Sequence, residues 1–186
     1  MKTISNEYAE QLKRLKFSGK GHKHYDKILP LIKSYNPETI LDYGCGNGSL
    51  VQKIREEQPN IITHGWDPAA NNLGQRRRIN DTYDLLISTD VLEHIEPELA
   101  DNVMTDIYNS FDKAAWLLIC IGPAGKYLAD GRNAHICNKP KEWWKDLIER
   151  NMPNVNFAEE KYDQRDTPKL RALKLTRAYY TVLLEK

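Results

Sequence analysis

The chain has 186 residues, 27 basic against 26 acidic side chains, 40% hydrophobic and 28% charged. That length is one domain's, enough to bury a core without staples, and the ordinary hydrophobic fraction with four Trp and ten Tyr excludes intrinsic disorder. A net charge of +1 argues against a protein that works chiefly by coating phosphate backbones.

The N-terminus turns at once to Asn6, Glu7, Glu10 and Gln11, without the apolar stretch of a secretory signal, so a cytoplasmic location is expected. Residues 1 to 36 carry eight Lys/Arg against three acids, a local excess of +5 that leaves −4 for the remainder. Within this basic arm Tyr25, Ile28, Leu29, Leu31, Ile32 and Tyr35 recur at helical spacing, which predicts an amphipathic helix over about residues 23 to 35 with a solvated basic face, against contact with nucleic acid or an acidic ligand. After Pro37, Thr39 to Tyr43 reads as a short buried strand running into Gly44-Cys45-Gly46-Asn47-Gly48. Leu50, Val51 and Ile54 then give a helix ending near Pro59, and Ile61 to Trp66 a second strand that stops at Asp67-Pro68. Tyr83 to Ser88 is a third, continuously apolar as a strand covered on both faces would be.

Pro97 stands where a helix begins, and Leu99, Val103, Ile107 and Phe111 form its apolar stripe. Trp116 to Ile121 is the most hydrophobic strand and is expected at the sheet centre; the apolar run around it, Ala114 to Gly122, is less than half of the ~20 residues that cross a bilayer, so no membrane span is expected. Pro140, with Glu142, Trp143, Trp144, Leu147 and Ile148, marks another helix, and Val155 to Ala158 and Ala178 to Leu184 are late strands. Strands alternating with helices, then consecutive strands, predict an α/β sheet that is mostly parallel with an antiparallel end. Cys45, Cys120 and Cys137, odd in number and widely spaced, read as reduced thiols. His22, His24 and His64 form no metal spacing, so no metal is expected.

The most specific feature is the strand, acid and glycine turn from Ile40 to Gly48. Glycines fold the backbone tightly and let a ligand approach the main chain. Ser49 occupies the place where a dinucleotide fingerprint needs Gly or Ala, and no Gly-Lys-Ser/Thr follows, which excludes a P-loop. Asp67, 19 residues beyond Gly48 at the end of the second strand, is placed to accept two hydrogen bonds from a ribose diol.

With these elements the chain resembles the class I S-adenosylmethionine-dependent methyltransferases. Leu41 to Gly48 looks like their first motif, Gly65-Trp66-Asp67-Pro68 like the acidic ribose-binding turn, and Tyr83 to His94 like the fourth-strand segment. Asp130 to His135, Lys139-Pro140 and Trp143-Trp144 resemble a group of small bacterial and phage-encoded members whose substrates are mostly unassigned. The resemblance implies a Rossmann-like three-layer sandwich and S-adenosyl-L-methionine as cofactor. It implies that Gly44, Cys45, Gly46, Asn47 and Gly48 line the methionine and ribose part, that Asp42 anchors the loop and the amino group, and that Asp67 with Pro68 holds the ribose. Ser88, Thr89, Asp90, Val91 and Leu92 would border the methyl group. Only 15 residues separate Asp67 from Tyr83, so the third-strand region is expected to be shortened; Asn71, Asn72 and Asp81 are open candidates for the adenine contact. The whole chain reads as one methyltransferase domain, with a helical arm over 1–36 and a cofactor-binding core over 37–186.

Transfer from a sulfonium asks the protein mainly for alignment and, for a protonated nucleophile, a base. The tetrapeptide of exocyclic-amine base methylation is replaced by Ser88-Thr89-Asp90-Val91, and no Pro-Cys nucleophile is present. A small-molecule acceptor is therefore preferred. Nucleic acid is the disfavoured alternative, kept by Arg76-Arg77-Arg78 and the basic arm, and a non-catalytic cofactor-binding module is the third reading. The Gly122 to Asn138 loop follows the central strand on the ligand side and is expected to act as lid or substrate wall. His135 is its candidate base or substrate-orienting group, against a loop-stabilising role, and Asp90 a second catalytic candidate. Arg132 is read either as an anion contact or as a lid-stabilising ion pair, and Trp143 as a substrate contact against simple packing.

Overall fold

The computed structural model describes residues 2–15, 20–69, 82–172 and 176–186. Each apolar run becomes a strand of one sheet: β1 (Thr39–Tyr43), β2 (Ile62–Trp66), β3 (Tyr83–Thr89), β4 (Phe111–Ile121), β5 (Asn156–Arg165) and β6 (Arg177–Glu185). The order is β2-β1-β3-β4-β6-β5. β2, β1, β3 and β4 pair in parallel, while β6 runs antiparallel to both neighbours. The helices are α1 (Asn6–Arg14), α2 (Tyr25–Tyr35), α3 (Ser49–Glu57), α4 (Ala100–Tyr108), α5 (Lys141–Asn151) and the short α6 (Pro168–Ala172).

Successive strand residues point to opposite faces, so each buried strand feeds two cores. On one face Leu41, Leu86, Leu117 and Ile119 meet Val103, Met104 and Ile107 of α4 and Trp144, Leu147 and Ile148 of α5. On the other Ile40, Leu85, Ile87, Trp116 and Leu118 meet Tyr25, Ile28 and Ile32 of α2 and Leu50 and Ile54 of α3. Helices on both faces of a mostly parallel sheet make the expected α/β three-layer fold, and β4 lies inside the sheet as expected.

Two local expectations change. Phe111 is not the end of a helical stripe: α4 stops at Tyr108, and Phe111 opens β4 while still burying its ring in the core that holds Val103 and Ile107. The expected 23–35 helix begins as a separate 3₁₀ turn, Gly21–His24, and its α-helical part starts at Tyr25. The N-terminal stretch contains α1, capped by Ser5, whose Oγ accepts the Tyr8 N–H at 3.2 Å. The stretch expected to shorten the third-strand region falls largely in residues 70–81. Asn71, Asn72, Asp81 and Arg76 to Arg78 therefore lie outside the described residues.

Candidate active site

At the carboxyl ends of β1, β2 and β3 a cavity of about 740 Å³ opens, the place where parallel α/β sheets present ligand sites. It is lined by Asp42, Gly44, Cys45, Gly46 and Asn47 from β1 and the turn after it, Trp66, Asp67, Pro68 and Ala69 from β2 and beyond, and Thr89, Asp90 and Val91 after β3. The turn is built on three glycines with left-handed backbones, Gly44, Gly46 and Gly48, of which the first two line the cavity. At Gly44 (φ +83°) a Cβ would lie 2.4 Å from both methyls of Val91. At Gly46 (φ +53°) a Cβ would meet nothing within 4 Å, so any side chain there would stand in the cavity. Gly44 and Cys45 both donate their N–H to Trp66 O, at 2.7 and 3.1 Å, and this clamps the turn to the end of β2.

Asp67 completes the clamp: Oδ2 accepts the Gly46 N–H at 2.9 Å and Oδ1 the Ala69 N–H at 2.8 Å. Each oxygen retains acceptor capacity beside a ligand-sized space. Asp42 is buried, and desolvation together with the charge of Asp67 pushes its carboxyl up to about 7. Asp90, at the mouth of β3, adopts the left-handed conformation (φ +55°) that non-glycine residues seldom take, and its Oδ2 lies 3.1 Å from His24 Nε2.

The other wall comes from the N-terminal segment: Thr3, Ile4, Tyr8, Leu12, Lys13, Lys20, Lys23 and His24. Sequence patterns place none of these singly at the site, although Ser5 before Tyr8, Ala9 and Leu12 is a legible helix start. Ser5 N–H donates to Glu96 Oε2 at 2.6 Å and Gln11 Nε2 to Asp130 Oδ2 at 2.9 Å, fixing α1 over the opening.

The structure brings together ten of the expected cofactor residues and leaves three outside the lining. Ser88 is fully buried, turned inward by strand alternation; Leu92 is buried in the core in the 3₁₀ turn Leu92–His94; Gly48 serves as the N-cap of α3. The Gly122 to Asn138 loop contributes nothing to the lining. Asn133 knots it internally, Oδ1 accepting the N–H groups of Ala124 at 2.8 Å and His135 at 3.0 Å. His135 is buried with Nδ1 2.6 Å from Gly122 O, and burial lowers its pKa. Arg132 forms the ion pair of its two readings, with Asp130 at 2.7 Å. Trp143 packs edge-on against Trp144 and the core.

An α/β sheet whose first turn exposes Gly46 to a cavity, with an acid on the neighbouring strand end, defines a nucleoside-binding domain of the class I methyltransferase type. Residues 6–160 match the family model described as a methyltransferase domain, and the chain belongs to that family. A curated relative, the trans-aconitate 2-methyltransferase of Mycolicibacterium gilvum (strain PYR-GCK), is 31% identical over 81 residues. That match covers 39% of this chain and 31% of the relative, about a third of its length. Among solved structures, the 1,6-didemethyltoxoflavin-N1-methyltransferase of Burkholderia thailandensis, bound to its 1,6-didemethyltoxoflavin and S-adenosylhomocysteine, has a TM-score of 0.63 at 14% identity, covering 100% of this chain and 92% of that one. Phosphoethanolamine N-methyltransferase 2 of Haemonchus contortus, with phosphomonomethylethanolamine and S-adenosylhomocysteine, gives 0.61 at 12% identity, over 96% and 60%. At these identities the likeness is one of fold. Among the described residues no helix is long and apolar enough to cross a membrane.

Proposed function

We propose that the domain transfers the methyl group of S-adenosylmethionine to a small acidic molecule held beneath the N-terminal segment. The cavity carries this reading: one continuous space joins the Gly44 to Asn47 turn and Asp67 to Lys13, Lys20, Lys23 and His24, and its volume suits a nucleoside cofactor beside a small acceptor. Asp67 would hold the ribose, Asp42 the amino group, and the open face of Gly46 the chain between them. When bound, the cofactor supplies an electrophilic methyl group.

The chain's own part is alignment and proton handling. Lys20 and Lys23 favour an anionic acceptor, Lys13 being paired with Glu10 at 2.6 Å, consistent with a relative named for trans-aconitate. The Asp90 carboxylate orients the His24 ring through its Nε2 contact, and this pair, rather than the internally bonded His135, is the group placed to receive an acceptor proton. α1 covers part of the opening through Tyr8, Leu12 and Lys13.

The test supplies di- and tricarboxylic acids, trans-aconitate among them, with S-adenosylmethionine and measures adenosylhomocysteine. Turnover with at least one carboxylate is expected, falling by about 100-fold in His24→Gln and Asp90→Asn while adenosylhomocysteine affinity is retained. No adenosylhomocysteine from any metabolite pool would instead favour a non-catalytic binding module; turnover confined to nucleic acid would overturn the acceptor class.

A further inference from the structure

Behind the cavity wall three elements each bring one donor atom to a single buried point. Glu93 stands in the 3₁₀ turn after β3, Cys120 near the end of β4, and His135 in the Gly122 to Asn138 loop. A carboxylate oxygen, the Cys120 Sγ and a His135 ring nitrogen all lie within 4.8 Å of one another, and all three residues are buried. None of them lines the cavity, so the cluster stands independently of the methyl-transfer reading.

The orientation of each donor fits a ligand. His135 Nδ1 lies 2.6 Å from Gly122 O; a carbonyl only accepts, so Nδ1 carries the proton and the neutral ring turns the lone pair of Nε2 toward Glu93 Oε1, 4.0 Å away. A ring nitrogen tied to a backbone carbonyl is the usual support of a metal-bound histidine. Glu93 is 1% exposed; the backbone amides of Glu93 itself and Cys120 approach its carboxyl, but neither oxygen makes a hydrogen bond of ordinary geometry among the described residues. Interiors rarely leave a carboxyl so, short of an ion or water at the site. Arg177 stands near the cluster, but its guanidinium is engaged by Pro123 O at 2.9 Å.

We propose that Glu93, Cys120 and His135 hold one divalent transition-metal ion of borderline softness, with Zn²⁺ the best match to a mixed sulfur, nitrogen and oxygen set. A thiolate and a carboxylate together neutralise a dication, so the loaded site buries no net charge. The centre of a triangle with sides of at most 4.8 Å is no more than about 2.8 Å from each corner, and side-chain movements of roughly 0.5–0.8 Å reach the ~2.0–2.3 Å of zinc bonds. Three protein ligands leave a fourth position open. The ion would staple the Gly122 to Asn138 loop to the sheet, which gives His135 a structural role. No local spacing announces such a site, because its ligands stand 27 and 15 positions apart.

The experiment titrates chelator-dialysed full-length protein with Co²⁺, then Zn²⁺. The expected result is one equivalent of Co²⁺ bound, a thiolate-to-cobalt charge-transfer band in the near ultraviolet, displacement by Zn²⁺ and a higher Tm with Zn²⁺ than with chelator. Glu93→Gln, Cys120→Ser and His135→Gln should each weaken binding by at least the ~10–100-fold that loss of even an outer partner costs. Should a ligand variant fail to fold, the decision passes to Cys45→Ser/Cys137→Ser, which keeps Cys120 as the sole thiol and must retain the band. Absence of stoichiometric uptake by the folded wild-type chain, or a band that persists in Cys120→Ser or vanishes with Cys45 and Cys137, overturns the site.

Discussion

Each oxygen of the Asp67 carboxylate already accepts one backbone N–H, from Gly46 and from Ala69, so the residue both shapes the turn and offers its remaining lone pairs to a ligand. Asp67→Ala removes both functions and should weaken adenosylhomocysteine by about 10–100-fold, the equivalent of ~1–3 kcal/mol, measured by calorimetry on a chain that still folds. Asp42 acts by charge. Its carboxyl, pushed up to about 7 by burial and by Asp67, holds a proton in the native state that the unfolded chain releases above its ordinary pKa of ~3.9. The stability this provides is full below about pH 4 and is lost as pH rises through about 7, at up to ~1.4 kcal/mol per pH unit. Asp42→Asn should therefore be less pH-dependent than the wild type in urea unfolding between those values; identical profiles would remove the assignment. These residues were legible because strand, acid and glycines lie within one short stretch. Lys20, Lys23 and His24 were legible only as part of a basic arm that could meet an acidic ligand, because nothing local in sequence says that their segment folds back over the carboxyl ends of β1 and β3.

At the scale of elements, α1 is the part that closes the site without belonging to the frame. Its buried residues, Tyr8 and Ala9, are members of neither core, and its anchors are side contacts to Glu96 and Asp130. Deleting residues 2–14 should leave far-ultraviolet circular dichroism close to that of the intact domain apart from the lost helix. It should raise the KM for acceptor by tenfold or more, roughly the effect of losing one well-packed contact set. Collapse of the whole fold would show instead that α1 is structural. The sheet was readable wherever burial wrote apolar runs. β5 was only partly so: it pairs with β6 alone and most of its residues are exposed, so beyond Ala158 its Glu, Lys, Asp and Gln residues carry little hydrophobic signal. Asp112 and Lys113 hid the first residues of β4 in the same way.

Across the whole molecule, the near-zero net charge divides into a +5 arm and a −4 body, and the cavity lies on the boundary. Its cofactor side presents the carboxyl groups of Asp42 and Asp67, one buried and one partly buried; its outer side presents the exposed Lys20 and Lys23, with Lys13 paired to Glu10. Exposed charges are screened over about 8 Å at physiological ionic strength, whereas buried hydrogen bonds are not. The two ligands should therefore separate by salt. Raising ionic strength from about 0.05 to 0.5 M should increase the KM for a carboxylate acceptor several-fold and leave the adenosylhomocysteine Kd within about twofold. The double variant Lys20→Glu/Lys23→Glu should reproduce the high-salt KM already at low salt, because it inverts the field that salt only screens. An acceptor KM indifferent to both salt and charge reversal would mean that the lysines merely solvate the rim. The acceptor would then be neutral, with the methyl-transfer reading untouched.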